Sequence, residues 1–377
     1  MKFIKNGRLI LKDRILTGKA LAYDGRIVGF VDNDDVPAGA EVMDAAGAYV
    51  APGLIDVHIH GYLGQDVCDC NPDGIRKIAA GIVENGVTGF LPTTMTVDKA
   101  VIQKAIDVCR ELQEESKTWK GTAILGVHAE GPFINPKKKG AQDEKYILKP
   151  DAAFVKKNAD MIRIITMAPE MDENFAAIRE IVSDTDVVVS MGHTDATYEI
   201  AAAAVANGVR STTHLFNAMP PFNHRDPGVV GAASDDAAHV EMISDGIHLH
   251  PAVVRSVFRW FGAERVCLIS DSMRAAGMPN GVYSLGGQTV YMTDGKATLE
   301  DGTIAGSATC LAECFRRAVS FGVPLDAALR AATINPAQAV GLFDELGSIT
   351  AGKRADILVL DETLHPEKIF IGGVQTK

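Results

Sequence analysis

Short apolar segments alternate with helical stretches between residues 50 and 272, and this alternation constrains the fold most strongly. Typical helical stretches read DGIRKIAAGIVENG and DENFAAIREIVS. Strands that alternate with helices indicate a parallel sheet. Eight such units are the number found in a TIM barrel, although an open doubly wound sheet would also fit. We therefore expect an α/β fold with a TIM (β/α)8 barrel. The predicted strands cover residues 50–60, 87–94, 122–130, 162–170, 186–193, 210–217, 239–246 and 265–272.

The two ends of the chain carry signals of β-structure. Short alternating apolar and polar runs, separated by Asn-Gly and Asp-Gly pairs, are typical of hairpins. Because the barrel lies between two β-rich ends, we expect these ends to pair into one small composite β-sandwich domain. The expected boundaries are 1–50 and 346–377 for this β domain and 51–345 for the catalytic barrel.

Composition and charge argue against several classes of function. A net charge of −11 and a pI near 5.4 disfavour binding to nucleic acid or to an anionic membrane. We find no apolar run of the roughly 18 residues that a membrane span needs, and no signal peptide. Six cysteines without a C-x-x-C pair do not indicate a disulfide framework. We expect a cytoplasmic protein with reduced thiols.

Polar side chains occupy every second position of the first predicted strand, at Asp56, His58 and His60. Successive side chains of a strand point to opposite faces. These three therefore face the barrel lumen near its C-terminal mouth, where barrel enzymes carry their chemistry. Later strands also end in imidazoles and carboxylates, which are ligands for zinc and similar divalent ions. These later residues are His128, Glu130, His193, His214, Asp245, His248 and Asp271.

The chain resembles the amidohydrolase superfamily from about residue 50 to its C-terminus. The strings that carry the resemblance are PGLIDVHIHG, HAEGP, GHTDAT, THLFNAM, DGIHLHP, LISDSM and GSITAGKRADILVLD. Three of them, HAEGP, HLFNAM and DGIH, are more closely similar to the N-acetylglucosamine-6-phosphate deacetylase family. Many two-metal relatives bridge their ions with a carbamylated lysine after strand four, but IRIITMAPE contains no lysine. The resemblance implies that Glu130 takes its place.

This resemblance implies a metal-dependent enzyme that hydrolyses N-acetylglucosamine 6-phosphate to glucosamine 6-phosphate and acetate. Glu130, His193 and His214 are expected to hold the principal ion. His58 and His60 would hold a second ion with Glu130 as the bridge, so that one or two ions bind per subunit. The expected ion is zinc, and iron, manganese or cobalt also suit these ligands. Asp271 is expected to carry the proton during hydrolysis, and the family suggests a homodimer.

The resemblance also implies a set of substrate contacts: Ala141, Gln142, Asn217, Ala218, Arg225, His248, Ile304, Ala305 and Gly306. Arg225 is expected to bind the phosphate, because a guanidinium pairs bidentately with phosphate oxygens. The lysines of NPKKKG either form a solvated face or steer the phosphate electrostatically. Gln142 stands where the family commonly has a histidine, and an amide cannot become positively charged near neutral pH. Which N-acetyl sugar is preferred is therefore open.

Three alternative functions stay open at this point. The chain could deacetylate N-acetylgalactosamine 6-phosphate, or it could be another amidohydrolase that acts on a cyclic amide or a small acylated amine. A more remote alternative is a barrel without catalytic activity that serves as an interaction module. Such a protein should have lost some of its site residues, yet Glu130, His193, His214 and Asp271 are all present.

Overall fold

The computed structural model describes residues 1–236 and 239–377. Its N-terminal segment forms short strands that belong to two sheets. The strands are β1 (Lys2–Lys5), β2 (Arg8–Ile10), β3 (Ile15–Leu16), β4 (Lys19–Tyr23), β5 (Ile27–Asp32), β6 (Glu41–Asp44) and β7 (Tyr49–Pro52). One sheet has the order β5-β4-β1-β6, and the second contains β7, β2 and β3.

The barrel follows directly. Its strands are β8 (Leu54–Ile59), β11 (Val87–Thr94), the split third strand β12 (Ala123–Ile124) and β13 (Val127–Glu130), β14 (Ile162–Met167), β15 (Val188–Met191), β16 (Ser211–Thr212), β17 (His239–Met242) and β18 (Val266–Leu268). A small antiparallel pair, β9 (Gly61–Tyr62) and β10 (Gln65–Asp66), lies after β8. Each barrel strand pairs in parallel with the next one around the barrel. The predicted barrel is confirmed.

Helices connect the strands and cover the barrel. They are α1 (Pro72–Val83), α2 (Lys99–Ser116), α3 (Ala152–Lys157), α4 (Ala176–Asp184), α5 (Tyr198–Ala206), α6 (Gly228–Asp236), α7 (Pro251–Phe261), α8 (Leu311–Ser320), α9 (Leu325–Ala332) and α10 (Ile334–Ala339). Short 3-10 helices lie at Asn33–Asp35, Val67–Asp69, Pro136–Lys138, Glu144–Tyr146, Pro169–Met171 and Glu173–Phe175. Across residues 1–236 and 239–377, we find no helix with the length and apolar character needed to cross a membrane.

Helix α1 shows how local sequence positions these elements. The Asn71 side chain accepts a hydrogen bond from the backbone N–H of Asp73, and Pro72 occupies the first turn, where no N–H is needed. Ile75, Ile78 and other apolar residues at helical spacing are buried on one face of the helix. The helix therefore begins at its cap and packs one apolar stripe into the core.

The barrel closes between β8 and the residues that follow β18. The backbone N–H of Asp271 donates to the carbonyl of His58 at 2.9 Å, and the N–H of His60 donates to the carbonyl of Ser272 at 2.9 Å. The N–H of Ser270 donates to the carboxylate of Asp56 at 3.2 Å. We call these contacts the seam of the barrel. They place Asp271 beside His58 and His60.

The C-terminal residues complete the second sheet. A three-stranded antiparallel sheet comes first, formed by β19 (Gly281–Leu285), β20 (Gln288–Thr293) and β21 (Lys296–Thr298). It is followed by β22 (Ile357–Leu360), β23 (Pro366–Ile371) and β24 (Val374–Gln375). Strand β22 pairs antiparallel with β7, so residues from both ends of the chain form one sheet of order β24-β23-β22-β7-β2-β3.

Both ends of the chain also share one apolar core. Ile4, Leu9 and Leu21 from the N-terminal segment are buried together with Ile357 and Phe370 from the C-terminal segment. The composite β domain is therefore confirmed, whereas its boundaries at residues 50 and 346 stay a prediction.

Candidate metal centre

Glu130, His193 and His214 converge at the C-terminal mouth of the barrel, and we call them the principal group. Glu130 ends β13, and the two histidines each follow a strand by two residues. Oε1 of Glu130 lies 3.2 Å from Nε2 of His193 and 2.9 Å from Nε2 of His214, and these two nitrogens are 3.1 Å apart. Ligand atoms around a tetrahedral zinc ion lie roughly 3.3 Å apart. The spacing therefore fits a metal ion.

His58 and His60 face the principal group from the first barrel strand, and we call them the second group. Their Nε2 atoms are 3.2 Å apart. Nε2 of His58 lies 3.3 Å from Oε1 of Glu130, and Nε2 of His60 lies 3.4 Å from Oε2 of Glu130. The carboxylate of Glu130 therefore lies between the two groups of imidazoles. On the remaining side, Oδ1 of Asp271 lies 3.3 Å from Nε2 of His60.

Hydrogen bonds at the outer nitrogen, Nδ1, orient three of these four imidazoles. Nδ1 of His58 contacts the carboxylate of Glu241 at 2.9 Å, Nδ1 of His60 contacts the carbonyl of Thr93 at 3.2 Å, and Nδ1 of His193 contacts the carbonyl of Lys138 at 2.9 Å. Carbonyl and carboxylate oxygens only accept, so each Nδ1 carries the proton. When Nε2 is deprotonated, as binding of a metal ion requires, its lone pair points to the centre. Because lone pairs that face each other repel, this donor set fits a divalent cation.

Buried carboxylates give the centre a negative charge. Glu130, Asp271 and Glu241 are almost fully buried, and their ion-pair partners within the described chain are imidazoles. Burial raises the pKa of Glu130, but the charges of His193 and His58 outweigh burial and hold this pKa well below its usual range. The site therefore favours bound positive charge, and a metal ion would compete there with protons.

The pKa values of Asp271 and His60 shift in opposite directions. Burial raises the pKa of Asp271, but the charge of His58 and the hydrogen bond from His60 outweigh burial and lower it to about 2. Burial lowers the pKa of His60, but hydrogen bonds to Asp271 and Glu130 outweigh it and raise the pKa to about 9. Asp271 is therefore held as a carboxylate, which can accept a proton.

The backbone at the site is left-handed at several positions. His193 has a φ of 48°, His214 a φ of 30° and Asp271 a φ of 48°. The left-handed backbone conformation costs a non-glycine residue of the order of 1–2 kcal/mol, and such strain is concentrated at functional sites. It turns the three side chains out of the regular strand direction and towards the lumen. Strand alternation alone did not predict this.

Two further buried polar residues lie next to the centre, and one of them holds a histidine of the second group. Glu241 lies in β17 and holds His58, and sequence reasoning missed it, although a charge within the apolar strand HVEM was a signal. His128, in contrast, turns both nitrogens away from the centre, to the carbonyl of Val57 at 3.0 Å and the hydroxyl of Thr166 at 2.7 Å. Burial lowers the pKa of His128 to about 4, so that its imidazole is neutral.

A cavity of about 410 Å³ opens above the two groups. The principal group, His60 and Asp271 line this cavity, and we call them, together with the fully buried His58 that contacts Glu130, the floor of the cavity. The other residues that line it form the rim: Met95, Lys137, Lys138, Gly140, Ala141, Gln142, Asn217, Ala218, Met219, His248, Leu285, Thr303, Ile304 and Gly306.

Most of the substrate contacts predicted from sequence belong to the rim, but two do not. Ala305 is fully buried next to it. Arg225 lies in an exposed loop, where its guanidinium contacts the ring of His224 at 2.8 Å. Within one chain, the structure therefore does not bring Arg225 to the floor.

The side chain of His248 is firmly held at the rim. Its Nδ1 contacts the carboxylate of Asp245 at 2.8 Å, and this carboxylate also accepts hydrogen bonds from the N–H groups of Ile247 and His248. Burial lowers the pKa of His248, but the hydrogen bond and the charge of Asp245 outweigh it and raise the pKa. Since Asp245 engages Nδ1, the Nε2 atom is left for a ligand in the cavity.

A parallel barrel with imidazole and carboxylate ligands at its strand ends is the architecture of a metal-dependent hydrolase. The chain belongs to the Amidohydrolase family, whose model matches residues 49–376. It is 39% identical over 366 residues to N-acetylglucosamine-6-phosphate deacetylase of Bacillus subtilis (strain 168), covering 95% of this chain and 92% of the relative. It is 35% identical over 343 residues to N-acetylgalactosamine-6-phosphate deacetylase of Escherichia coli O157:H7, covering 89% of this chain and 90% of the relative.

A solved structure supports the same relationship. It is an Asp-to-Ala mutant of N-acetyl-D-glucosamine-6-phosphate deacetylase from Mycobacterium smegmatis, in complex with N-acetyl-D-glucosamine-6-phosphate. This structure matches with a TM-score of 0.91 and 31% identity, covering 100% of this chain and 99% of that one. The family resemblance inferred from the sequence strings is therefore confirmed.

Proposed function

We propose that the chain is a metal-dependent deacetylase that hydrolyses N-acetylglucosamine 6-phosphate to glucosamine 6-phosphate and acetate. The observation that carries this proposal is the convergence of the principal group with Asp271 at the floor of one cavity. The relative from Bacillus subtilis, which matches along 95% of this chain, supports it through the activity in its name.

The principal group would hold one divalent ion, and the second group would hold another next to Glu130. When bound, such an ion lowers the pKa of water to about 7 and polarises an amide carbonyl. We propose zinc as the ion, with iron, manganese or cobalt as alternatives, because imidazole and carboxylate ligands suit all of them.

Asp271 is the proposed proton carrier. Its carboxylate is ionised and lies at the boundary between the floor and the open cavity, with 8% of the residue exposed. In the proposed reaction, Asp271 accepts a proton from the attacking water and then gives it to the amine that leaves the acetyl group. The seam hydrogen bond from its own N–H to the carbonyl of His58 fixes its position.

The rim is proposed to bind the phosphorylated sugar. His248, Asn217 and the backbone around Ile304 and Gly306 line the cavity. Two lysines supply positive charge in an otherwise acidic protein: Nζ of Lys137 and of Lys138 lie 3.4 Å and 3.6 Å from the carboxylate of Asp195. Both lysines line the cavity, and two ammonium groups beside one carboxylate leave a net positive charge there, which supports the interpretation of NPKKKG as a local basic site for the phosphate.

Arg225 is proposed to reach the phosphate from a second subunit. It lies in an exposed loop that also contains Phe222, whose ring stacks on Trp260 with centroids 5.5 Å apart. These two rings are 44% and 46% exposed. Adjacent exposed aromatic side chains favour burial against a partner, which supports a homodimer. The cytoplasmic location likewise stays a prediction.

The decisive experiment measures acetate release from a panel of N-acetyl hexosamines, each with and without the 6-phosphate, by protein loaded with zinc. We expect release from N-acetylglucosamine 6-phosphate. N-acetylgalactosamine 6-phosphate is the second candidate, because the relative from Escherichia coli is named for it. If no member of the panel released acetate after loading with zinc, iron, manganese or cobalt, the proposed function would be wrong.

A further inference from the structure

The side chain of Gln142 belongs to the rim but contacts the floor. It is 2% exposed. Its Nε2 donates to Oε2 of Glu130 at 2.5 Å, and its Oε1 accepts a hydrogen bond from the backbone N–H of Thr96 at 2.7 Å. Thr96 lies just beyond β11, and Glu130 ends β13. The amide therefore connects the ends of two neighbouring barrel strands.

The partners of Gln142 determine which amide atom faces which group. A backbone N–H can only donate, so the atom facing Thr96 is the oxygen. The NH₂ group is then turned to Glu130, which accepts as a carboxylate. Because the terminal torsion of a glutamate is broad and roughly two-fold, this hydrogen bond fixes the plane of the carboxylate. Oε1 then faces His58 as well as the histidines of the principal group, and Oε2 faces His60.

The neutral amide suits this position. A lysine or arginine on Glu130 would neutralise the charge that attracts a metal ion, whereas an amide orients the carboxylate and leaves its charge in place. The loop of residues 135–142 also holds a second ligand. The carbonyl of Lys138 contacts Nδ1 of His193 at 2.9 Å, and the N–H of Asn135 donates to the carbonyl of His193 at 2.9 Å. One loop thus supports two of the three residues of the principal group.

We propose that Gln142 is a positioning residue of the metal centre, which fixes the plane of Glu130 and thereby sets the affinity for the ion next to the second group. This inference rests on the metal centre of the proposed function. It differs from the role of substrate contact that the sequence resemblance implies for Gln142. Residues that orient metal ligands typically change metal affinity by about 10- to 100-fold when they are replaced.

The test compares Gln142→Met, which keeps the side-chain length but removes the amide, with Gln142→Asn, which keeps the amide but shortens its reach. The full-length protein is depleted of metal and titrated with zinc against a chromophoric chelator, in the absence of substrate. Both variants should raise the dissociation constant of the zinc ion next to the second group by about 10- to 100-fold. With zinc in excess, kcat for the phosphorylated sugar should fall while KM changes little.

Lys137→Met is the matched control, because Lys137 belongs to the same loop but its side chain is 76% exposed and pairs with Asp195. We expect this variant to retain the zinc dissociation constant and to raise KM, the opposite pattern. Thermal melting shows whether each variant folds. If Gln142→Met does not fold, the zinc affinity of Gln142→Asn decides the test. Unchanged zinc affinity in a folded Gln142 variant would overturn the inference. Because zinc is titrated without substrate, the two proposals can fail separately. A wild-type protein that binds zinc but releases no acetate would contradict the proposed function and leave the inference about Gln142 standing.

Discussion

The floor and the rim of the cavity are built in different ways. Floor side chains come from the ends of barrel strands or just beyond them and are at most 11% exposed, and three of the four imidazoles are held through Nδ1 by a backbone carbonyl or a buried carboxylate. Rim residues come from loops, and the side chain of Lys137, for example, is 76% exposed. The floor is therefore fixed mainly by the barrel strands, with support from the loop of residues 135–142, whereas the rim depends on loop conformation. Changes at the floor, and at Gln142, which contacts the floor, should affect kcat and metal binding, and changes at the other rim residues should affect KM.

The largest effect is expected at the floor, for Asp271→Asn. The amide cannot accept a proton from water, and removal of a general acid–base group typically costs about 10²- to 10⁴-fold in rate. We expect kcat to fall by this factor while the zinc content, measured by elemental analysis, persists. Turnover close to that of the wild type would remove Asp271 as the proton carrier.

The next effect is expected for Glu241→Gln, which changes the floor without touching the cavity. The charged acceptor of His58 is replaced by a neutral amide, so we expect the dissociation constant of the zinc ion at the second group to rise by about 10- to 100-fold. Asp172→Asn is the control, because Asp172 is also buried but caps α4 through the N–H groups of Ala177 and Ile178. It should lower the melting temperature and leave zinc affinity intact. Equal zinc affinities in both variants would contradict the proposed role of Glu241.

At the rim, Arg225→Ala should raise KM for the phosphorylated sugar by at least about tenfold, because a hydrogen bond to a charged group contributes about 1.5–3 kcal/mol. Mixed dimers reveal which chain supplies the arginine. A dimer of Arg225→Ala and Asp271→Asn chains contains one site with both residues intact only if Arg225 acts across the interface. We expect mixing of the two variants to restore activity. If Arg225 acted within its own chain, mixing would restore none.

The smallest effect is expected for Lys138→Met. Its ammonium group is partly solvated and already paired with Asp195, and such exposed pairs contribute about 0.2–1 kcal/mol. We expect KM to rise by at most about fivefold, with kcat and zinc affinity unchanged. A fall in kcat by itself would place Lys138 at the floor rather than the rim, and would weaken the distinction between the two regions.

The difference between strand-end residues and loop residues also explains which parts of the site the sequence could predict. His58 and His60 were placed correctly in the lumen, because a strand alternates its faces with a period of two. Glu241 could have been placed by this rule, since it has the same parity as Asp245. The left-handed turns at His193 and His214 follow the strands and carry no periodic signal. Arg225 lies in an exposed loop before α6 and does not line the cavity of its own chain, so strand periodicity does not predict its contacts.

The seam of the barrel links the integrity of the fold to the integrity of the site. The amide hydrogen of Asp271 is donated to the carbonyl of His58, so this amide can exchange with solvent only when the first strand separates from the residues after the last. A bound ion that holds His58 in place would oppose this opening. The exchange rate of a single backbone amide should therefore report on both barrel closure and metal occupancy, and should slow as zinc is added.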